Sequence, residues 1–218
     1  MREYDFSKAD YAEDSIPGHL HYLRLKCDAL ASMVSARFDD ASVLDVGCAT
    51  GEAEELLKGK MRLTGVDPAE NFLGVARKRK TGARFVRGDA LSLPFQKNSF
   101  DAAFAFSVLH HLKPGKEREK AVSEMARVVR KGGLVIIGEH NPNNPLTRRI
   151  VAKTPMDAGV SLLSVSEVEE LFTGAGLRTV EKKFVIFFPH FLSFLAPLEK
   201  AFETIPLGGN YVIAAQKP

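Results

Sequence analysis

The chain has 218 residues, 45% hydrophobic and 26% charged, with a formal net charge of +3. That length fits one α/β domain with a full core, or a domain plus a small appendage, and the slight positive balance makes no case for nucleic acid. Two cysteines, Cys27 and Cys48, cannot build a disulfide framework, no metal-ligand spacing appears, and no apolar run reaches the ~18 residues of a spanning helix.

Residues 1–18 are polar and close on the Pro17-Gly18 break. The start lacks the charged and apolar regions of a secretory signal, so the cytoplasm is the expected compartment. Leu20, Leu23, Cys27, Leu30, Ala31 and Val34 recur at helical spacing and predict a helix over 19–37. Tyr11, His19, Tyr22 and Arg24 are the side chains of this N-terminal segment that could reach a ligand; the alternative is a capping helix with solvated polar residues.

The next stretch organises the rest: Val43-Leu44-Asp45-Val46-Gly47-Cys48-Ala49-Thr50-Gly51. It reads as a buried strand, a sharp Gly-rich turn and a helix beginning near Gly51-Glu52. Gly47 and Gly51 allow a tight turn and a close ligand. The helix start offers N–H groups suited to a carboxylate. A dinucleotide site wants G-x-G-x-x-G around a pyrophosphate. Here the spacing is Asp45-x-Gly47-x-Ala49-x-Gly51, and an acid at the strand end repels pyrophosphate but attracts an ammonium.

This stretch resembles motif I of the class I S-adenosylmethionine-dependent methyltransferases, D-x-G-x-G-x-G. The resemblance is strong over residues 40–140 and loose elsewhere. It implies a doubly wound, mostly parallel seven-stranded sheet with an antiparallel last strand and helices on both faces. It also implies S-adenosylmethionine as cofactor, with Asp45, Gly47, Cys48, Ala49 and Gly51 around it. Ala49 departs from the usual Gly, and a negative φ there would suit both residues. N-terminal segments in this family often cover the cofactor.

Met61 to Asp67-Pro68 predicts a second strand ending in an acid, 22 residues beyond Asp45. A carboxylate so placed accepts hydrogen bonds from ribose hydroxyls. Phe72, Val75, Ala76 and Arg79 share a helix face, and Arg77 to Lys80 read as its solvated, cationic end. The third strand, Ala83 to Gly88, leads to Asp89-Ala90. The resemblance implies that this acid receives the adenine amine; the plainer role is a turn cap.

Phe100 to Phe106 is a nearly continuous apolar strand, as in the middle of a parallel sheet. Ser107 to Leu112 resembles the family's motif after strand four, which places Phe106 and Ser107 beside the methionine part of the cofactor. The [Asn/Asp]-Pro-Pro-Tyr tetrapeptide of many amine- and nucleobase-methylating relatives is missing. Of the pair His110-His111, one is expected to pack structurally and His110 to face the pocket. Residues 115–130 read as an amphipathic helix ended by Lys131-Gly132-Gly133, and Leu134 to Glu139 as strand five.

His140 opens a loop with two Asn-Pro steps, biased to turns, which carries a thin likeness to small-molecule methyltransferases of glycan or secondary-metabolite assembly. Either Ser164 or Ser166 could cap the following helix, each with a Glu three residues on. Residues 178–188 and 210–216 predict a closing antiparallel hairpin. Between them, 189–209 carries a Phe-rich helical stripe that Pro197 splits. Core filling, a dimer interface, a lid over an apolar acceptor and a membrane-surface contact are the alternatives. His190 and the prolines argue against continuous membrane insertion, and a lone cation, Lys200, is poor for anionic lipid. The segment is therefore expected to pack at the rim beside residues 139–165, as a wall of the acceptor pocket or an interface, which leaves a homodimer open.

The chain thus reads as one domain: a cap over 1–40, a cofactor-binding core over 41–138, and an acceptor-side half over 139–218. The expected reaction is methyl transfer to oxygen, nitrogen or carbon of a small-molecule acceptor, yielding S-adenosylhomocysteine. His110 and His140 are the candidate bases. The alternatives are a binding module without catalysis and a nicotinamide-dependent oxidoreductase. Asp45 and the missing third glycine disfavour the latter.

Overall fold

The structure is a computed structural model describing residues 18–154, 157 and 159–218. The predicted cap residue Tyr11 lies outside them. The strands are β1 (Ser42–Val46), β2 (Arg62–Asp67), β3 (Arg84–Arg87), β4 (Phe100–Phe106), β5 (Val129–His140), β6 (Arg178–Val185) and β7 (Asn210–Gln216). They form one sheet in the order β3-β2-β1-β4-β5-β7-β6. The first five are parallel; β7 runs antiparallel to both β5 and β6. The order reverses between β1 and β4, and a crevice at such a switch point is where open α/β sheets bind ligands.

The helices are α1 (His19–Ser35), α2 (Glu52–Leu56), α3 (Glu70–Lys78), α4 (Lys116–Val128), α5 (Pro145–Val151), α6 (Val165–Gly174) and α7 (Glu199–Phe202). Successive strand residues point to opposite faces. Leu44, Ala103 and Ile137 pack with Val122 and Met125 of α4 and Val168 and Phe172 of α6. Their neighbours Val43, Phe104 and Ile136 pack with Leu23, Cys27, Leu30 and Met33 of α1. With both faces covered, β4 has no polar alternation, and Ala102 to Ala105 are wholly buried.

Four local expectations change. Lys131-Gly132-Gly133 does not end a helix: α4 gives way to β5 at Val129, and these residues bulge from the strand. Gly132 sits at φ 76, and a Cβ on Gly133 would meet the Asp101 carbonyl at 2.5 Å. Arg79 is only partly solvated. It donates to Glu55 at 2.7 Å, to Glu52 at 3.3 Å and to the Thr50 carbonyl at 2.7 Å, clamping α3 to the turn after β1. The second Asn-Pro step starts a helix. Asn144 Oδ1 accepts from Leu146 and Thr147 N–H, and Pro145 occupies the first helical position, where its missing donor costs nothing. Asn144→Ala should cost about 1 kcal/mol in chemical denaturation, the usual loss for a helix cap. Lastly, Ser164, not Ser166, caps α6: its hydroxyl accepts from Glu167 N–H, and Glu167 Oε2 accepts from Ser164 N–H at 2.7 Å.

The Phe-rich connection departs furthest from expectation. Residues 190–198 form 3-10 turns broken at Leu192 and carrying Pro197, not a continuous stripe. Phe191 and Phe194 are 70% and 72% exposed, Phe191 meeting the His190 ring edge-on at 6.0 Å.

Candidate active site

A cavity of about 530 Å³ opens at the carboxyl ends of β1, β4 and β5, with the start of α1 and the residues of α5 on its walls. Its floor is the turn after β1. Gly47 has φ 81, and a Cβ there would lie 2.5 Å from Val108 Cγ2. Gly51 has φ 78 and would meet Ala76 and Phe85 within 3.1 Å, so only glycine fits either place. Ala49 also takes a positive φ, 44°, contrary to the sequence expectation. This left-handed turn is strained for alanine by roughly 1 kcal/mol or more. Asp67 Oδ2 holds it by accepting the Ala49 N–H at 3.0 Å.

That bond alters the expected anion cradle. The N–H groups of Gly47 and Cys48 go to the Val66 carbonyl, that of Ala49 to Asp67 and that of Gly51 to the Cys48 carbonyl. These donors serve the turn itself, and α2 is only five residues long. Asp67 Oδ1 accepts from Ala69 N–H as well, so its carboxylate fastens β1 to β2. Asp89 is exposed and accepts from Leu91 N–H, the geometry of a turn cap.

Asp45, Gly47, Cys48, Ala49, Phe106, Ser107, His110 and His140 line the cavity; Gly51, Asp67, Pro68, Asp89 and Ala90 stand behind or beside it. His19 and Tyr22 also line it, whereas the exposed Arg24 does not. Asp45 is buried, and its pKa is held well above the usual carboxylate range by that burial and by the nearby Glu54 and Asp67. Glu54 has no exposure, and neither of its carboxylate oxygens finds a hydrogen-bond partner among the described residues.

Lys26, which sequence reasoning passed over, brings the facing cation. Its ammonium donates to Ser107 Oγ at 3.1 Å and lies 5.3 Å from the Phe106 ring centroid. Burial lowers its pKa, against the pull of Glu139, Cys27 and Asp45. The available signal was a lysine on the buried stripe, beside Cys27 and three residues after Leu23. Ser107, its partner, takes φ 57, a backbone state uncommon for serine and frequent at functional sites.

On the opposite wall, His110 is enclosed by acids from two other segments. Its Nδ1 is 2.5 Å from Glu139 Oε2, at the end of β5, and its Nε2 is 3.4 Å from Asp157 Oδ1. Burial opposes the charged imidazole, but Glu139 and Asp157 outweigh it and raise the pKa to about 9. Glu139 correspondingly falls to about 2 despite its burial, through His110, while Glu139 Oε1 accepts from Val108 and Leu109 N–H. His140 and His111 go the other way: burial, then the His110 charge, lowers each to about 4. His140 Nδ1 is 3.3 Å from Asn210 Oδ1, an acceptor that fixes the proton on Nδ1 and leaves Nε2 as the free base. His110, His111 and Asp157 bring one potential ligand atom each within 4.8 Å of the others. His110 and Asp157 are drawn together by charge pairing, whereas His111 is neutral at physiological pH.

Residues 44–137 match the family model of a methyltransferase domain. Over these residues the chain is similar to class I S-adenosylmethionine-dependent methyltransferases. Over 114 residues it is 35% identical to a demethylmenaquinone methyltransferase from Thermotoga maritima, covering 51% of this chain and 48% of the relative. A ubiquinone/menaquinone biosynthesis C-methyltransferase from Campylobacter jejuni is 31% identical over 108 residues, 46% of this chain and 45% of its own. A tRNA (carboxymethyluridine(34)-5-O)-methyltransferase from Xenopus tropicalis is 33% identical over 125 residues, 57% of this chain and 19% of its own. The chain thus spans about half the length of the quinone-pathway relatives it matches.

In solved structures, a SAM-dependent methyltransferase from Methanosarcina mazei superposes with a TM-score of 0.64 at 21% identity, covering 85% of this chain and 96% of that one. One from Archaeoglobus fulgidus gives 0.65 at 17%, covering 88% and 94%. A [4+2]-cyclase gives 0.61 at 23%, covering 88% and 81%; the fold alone therefore does not fix the reaction. The cavity fits the cofactor: a glycine floor no Cβ can share, a buried carboxylate at one end for an ammonium, and an aromatic ring beside it.

Proposed function

We propose that this chain transfers the methyl group of S-adenosylmethionine to oxygen, nitrogen or carbon of a small-molecule acceptor, releasing S-adenosylhomocysteine. The observation that carries this reading is one cavity joining the glycine turn of the cofactor motif to a histidine–carboxylate cluster. Bound there, the cofactor supplies an electrophilic methyl on a sulfonium. Asp45 and the turn Gly47, Cys48, Ala49 and Gly51 hold its amino-acid end, with Phe106 and Ser107 beside it. Asp67-Pro68 and Asp89-Ala90 take the ribose and adenine. The start of α1 excludes water, His110 with its two carboxylates fixes the far wall, and His140 Nε2 accepts a proton from the acceptor.

Two further supports bear on setting. Both cysteines are free and buried, which suits a reducing compartment such as the cytoplasm. Leu146, Ile150, Val151, Ile186 and Phe187 give the acceptor end an apolar lining suited to a hydrophobic metabolite.

Calorimetry tests the cofactor assignment. S-adenosylhomocysteine should bind at micromolar levels and NAD should not. Asp67→Ala should weaken binding by about 1–3 kcal/mol, and Asp67→Asn by less, since an amide oxygen still serves Ala49 N–H. NAD binding tightly and indifferently to Asp67 would reverse the reading to an oxidoreductase. Cofactor binding with no labelled methyl delivered to any quinol, phenol or amine acceptor would leave a binding module.

A further inference from the structure

We propose that the rim of the cavity is a docking face for the surface of an anionic phospholipid bilayer. Among the described residues, every large hydrophobic side chain left exposed lies on one of three segments: Leu20 on α1, Leu146 and Ile150 on α5, and the remainder within 191–207.

The three segments are bound together. Asn144 Nδ2 donates to the Leu207 carbonyl at 2.7 Å, Asn141 Nδ2 to that of Gly208 at 2.8 Å, and Thr147 Oγ1 to that of Gly209 at 2.9 Å. The His190 N–H donates to Tyr22 Oη at 3.0 Å, tying the connection to α1. They also frame the mouth, because Tyr22, Leu146, Ile150, Phe187 and Pro189 line the cavity. Phe191 and Phe194 are not lining residues, so they are not folded inward as a wall. A monomeric protein seldom exposes so many apolar groups together unless something covers them.

Charge selects the cover. Arg148, Arg149 and Lys153 are exposed on and just after α5, and Lys200 on α7. Residues 141–154 contain no acid. Between 186 and 207 the acids are Glu199, which is buried and accepts the N–H groups of Ile186, Phe187 and Phe188, and Glu203, whose Oε2 is 3.3 Å from Lys183 Nζ; on α1, Asp28 is 3.3 Å from Lys60 Nζ. An apolar face edged by exposed cations, in segments whose acids are buried or already ion-paired, fits the headgroup layer of an anionic bilayer. A second copy is a poorer cover: a two-fold contact would bring like arginines together, and the nearby Glu203 is already paired with Lys183. The contact is superficial, since no described helix is long and apolar enough to cross a membrane. Residue 200 looked isolated in the sequence because the other cations lie some fifty residues earlier, on α5. The docking does not depend on the chemistry proposed above.

Vesicle co-sedimentation of the full chain tests it, using phosphatidylcholine with and without phosphatidylglycerol. Binding is expected only with phosphatidylglycerol and should weaken as salt rises. It should fall about tenfold or more in Phe191→Ser/Phe194→Ser, and likewise in Arg148→Glu/Arg149→Glu, with melting temperature and S-adenosylhomocysteine affinity unchanged. The replaced side chains are exposed, so both variants should fold. No sedimentation with either vesicle, or binding untouched by both double variants, would overturn the proposal. So would a dimer in sedimentation velocity that the phenylalanine variant abolishes while lipid binding is absent; that result would assign the face to a second copy.

Discussion

His140→Ala is expected to lower turnover by roughly 10²-fold or more while cofactor affinity stays within a few fold, as for loss of a general base. The argument rests on protonation. A base must be neutral at the working pH, and His140, lowered to about 4 by burial and the His110 charge, is neutral throughout the physiological range. Its Nδ1 faces Asn210, so the lone pair on Nε2 is the one available to an acceptor. His110 is the poorer candidate for that part near pH 7. With a pKa of about 9 it is already an imidazolium, locked between Glu139 and Asp157. His110→Ala should also lose activity, through position: Glu139 and Asp157 would be left buried without their cation, at a stability cost of about 3 kcal/mol or more.

The two variants therefore separate on readouts other than rate. His140→Ala should keep its melting temperature, and His110→Ala should not. The wild-type rate should fall as pH drops toward about 4, where His140 takes up a proton, and should fall again above about 9, where His110 loses one. Between these limits it should be flat. Full turnover of both variants with the true acceptor would mean that alignment alone suffices. Loss of wild-type turnover on treatment with a chelator, restored by a divalent cation, would reassign His110, His111 and Asp157 to metal binding.

Much of this arrangement was legible in the sequence because it depends on neighbours along the chain. The Asp45-to-Gly51 spacing, the acid 22 residues on and the apolar β4 are short-range patterns, and each gave its element directly. What was not legible depends on partners far apart. Glu139 reads as a strand end and Asp157 as a loop residue until β5 brings one, and the chain after α5 the other, to the two nitrogens of His110. Lys26 is a helix residue until α1 is laid across β4 and the ammonium meets Ser107. The exposure of Phe191 and Phe194 was misjudged for a related reason. Helical spacing implies a buried stripe only where a helix forms, and a break at Leu192 with Pro197 beyond it gives 3-10 turns instead. The positive φ of Ala49 was likewise set from outside, by a hydrogen bond from β2.

Glu54→Gln is expected to stabilise the protein at alkaline pH and to leave it nearly unchanged in mild acid. Glu54 lies on α2 with no exposure, its carboxylate beside Cys48 and the bare Cα of Gly65, where a Cβ would come within 2.5 Å of its Oε1. Its oxygens make no hydrogen bond to another described residue, and only its own backbone N–H and the more distant Arg79 charge favour the ionised form. Burial therefore dominates, lifting its pKa from 4.5 to about 7. The unfolded chain ionises Glu54 near the ordinary value, and the folded chain ionises it only later. Folding is thus favoured below the unfolded pKa, where both states hold the proton, and that advantage is lost as pH rises through the folded pKa near 7. The difference corresponds to about 3 kcal/mol across the window. Glutamine keeps the shape of the protonated acid and cannot ionise, so the variant escapes the loss. It also removes a neighbouring charge that helps raise Asp45. Urea denaturation of both proteins at pH 5 and pH 8 measures the effect, since other titrating groups cancel in the variant-minus-wild-type difference. That difference should grow by about 2–3 kcal/mol between the two pH values. A difference that does not change with pH would mean that Glu54 ionises in the folded protein as easily as in water, and that a donor or cation not drawn from the described residues reaches it beneath the cofactor turn.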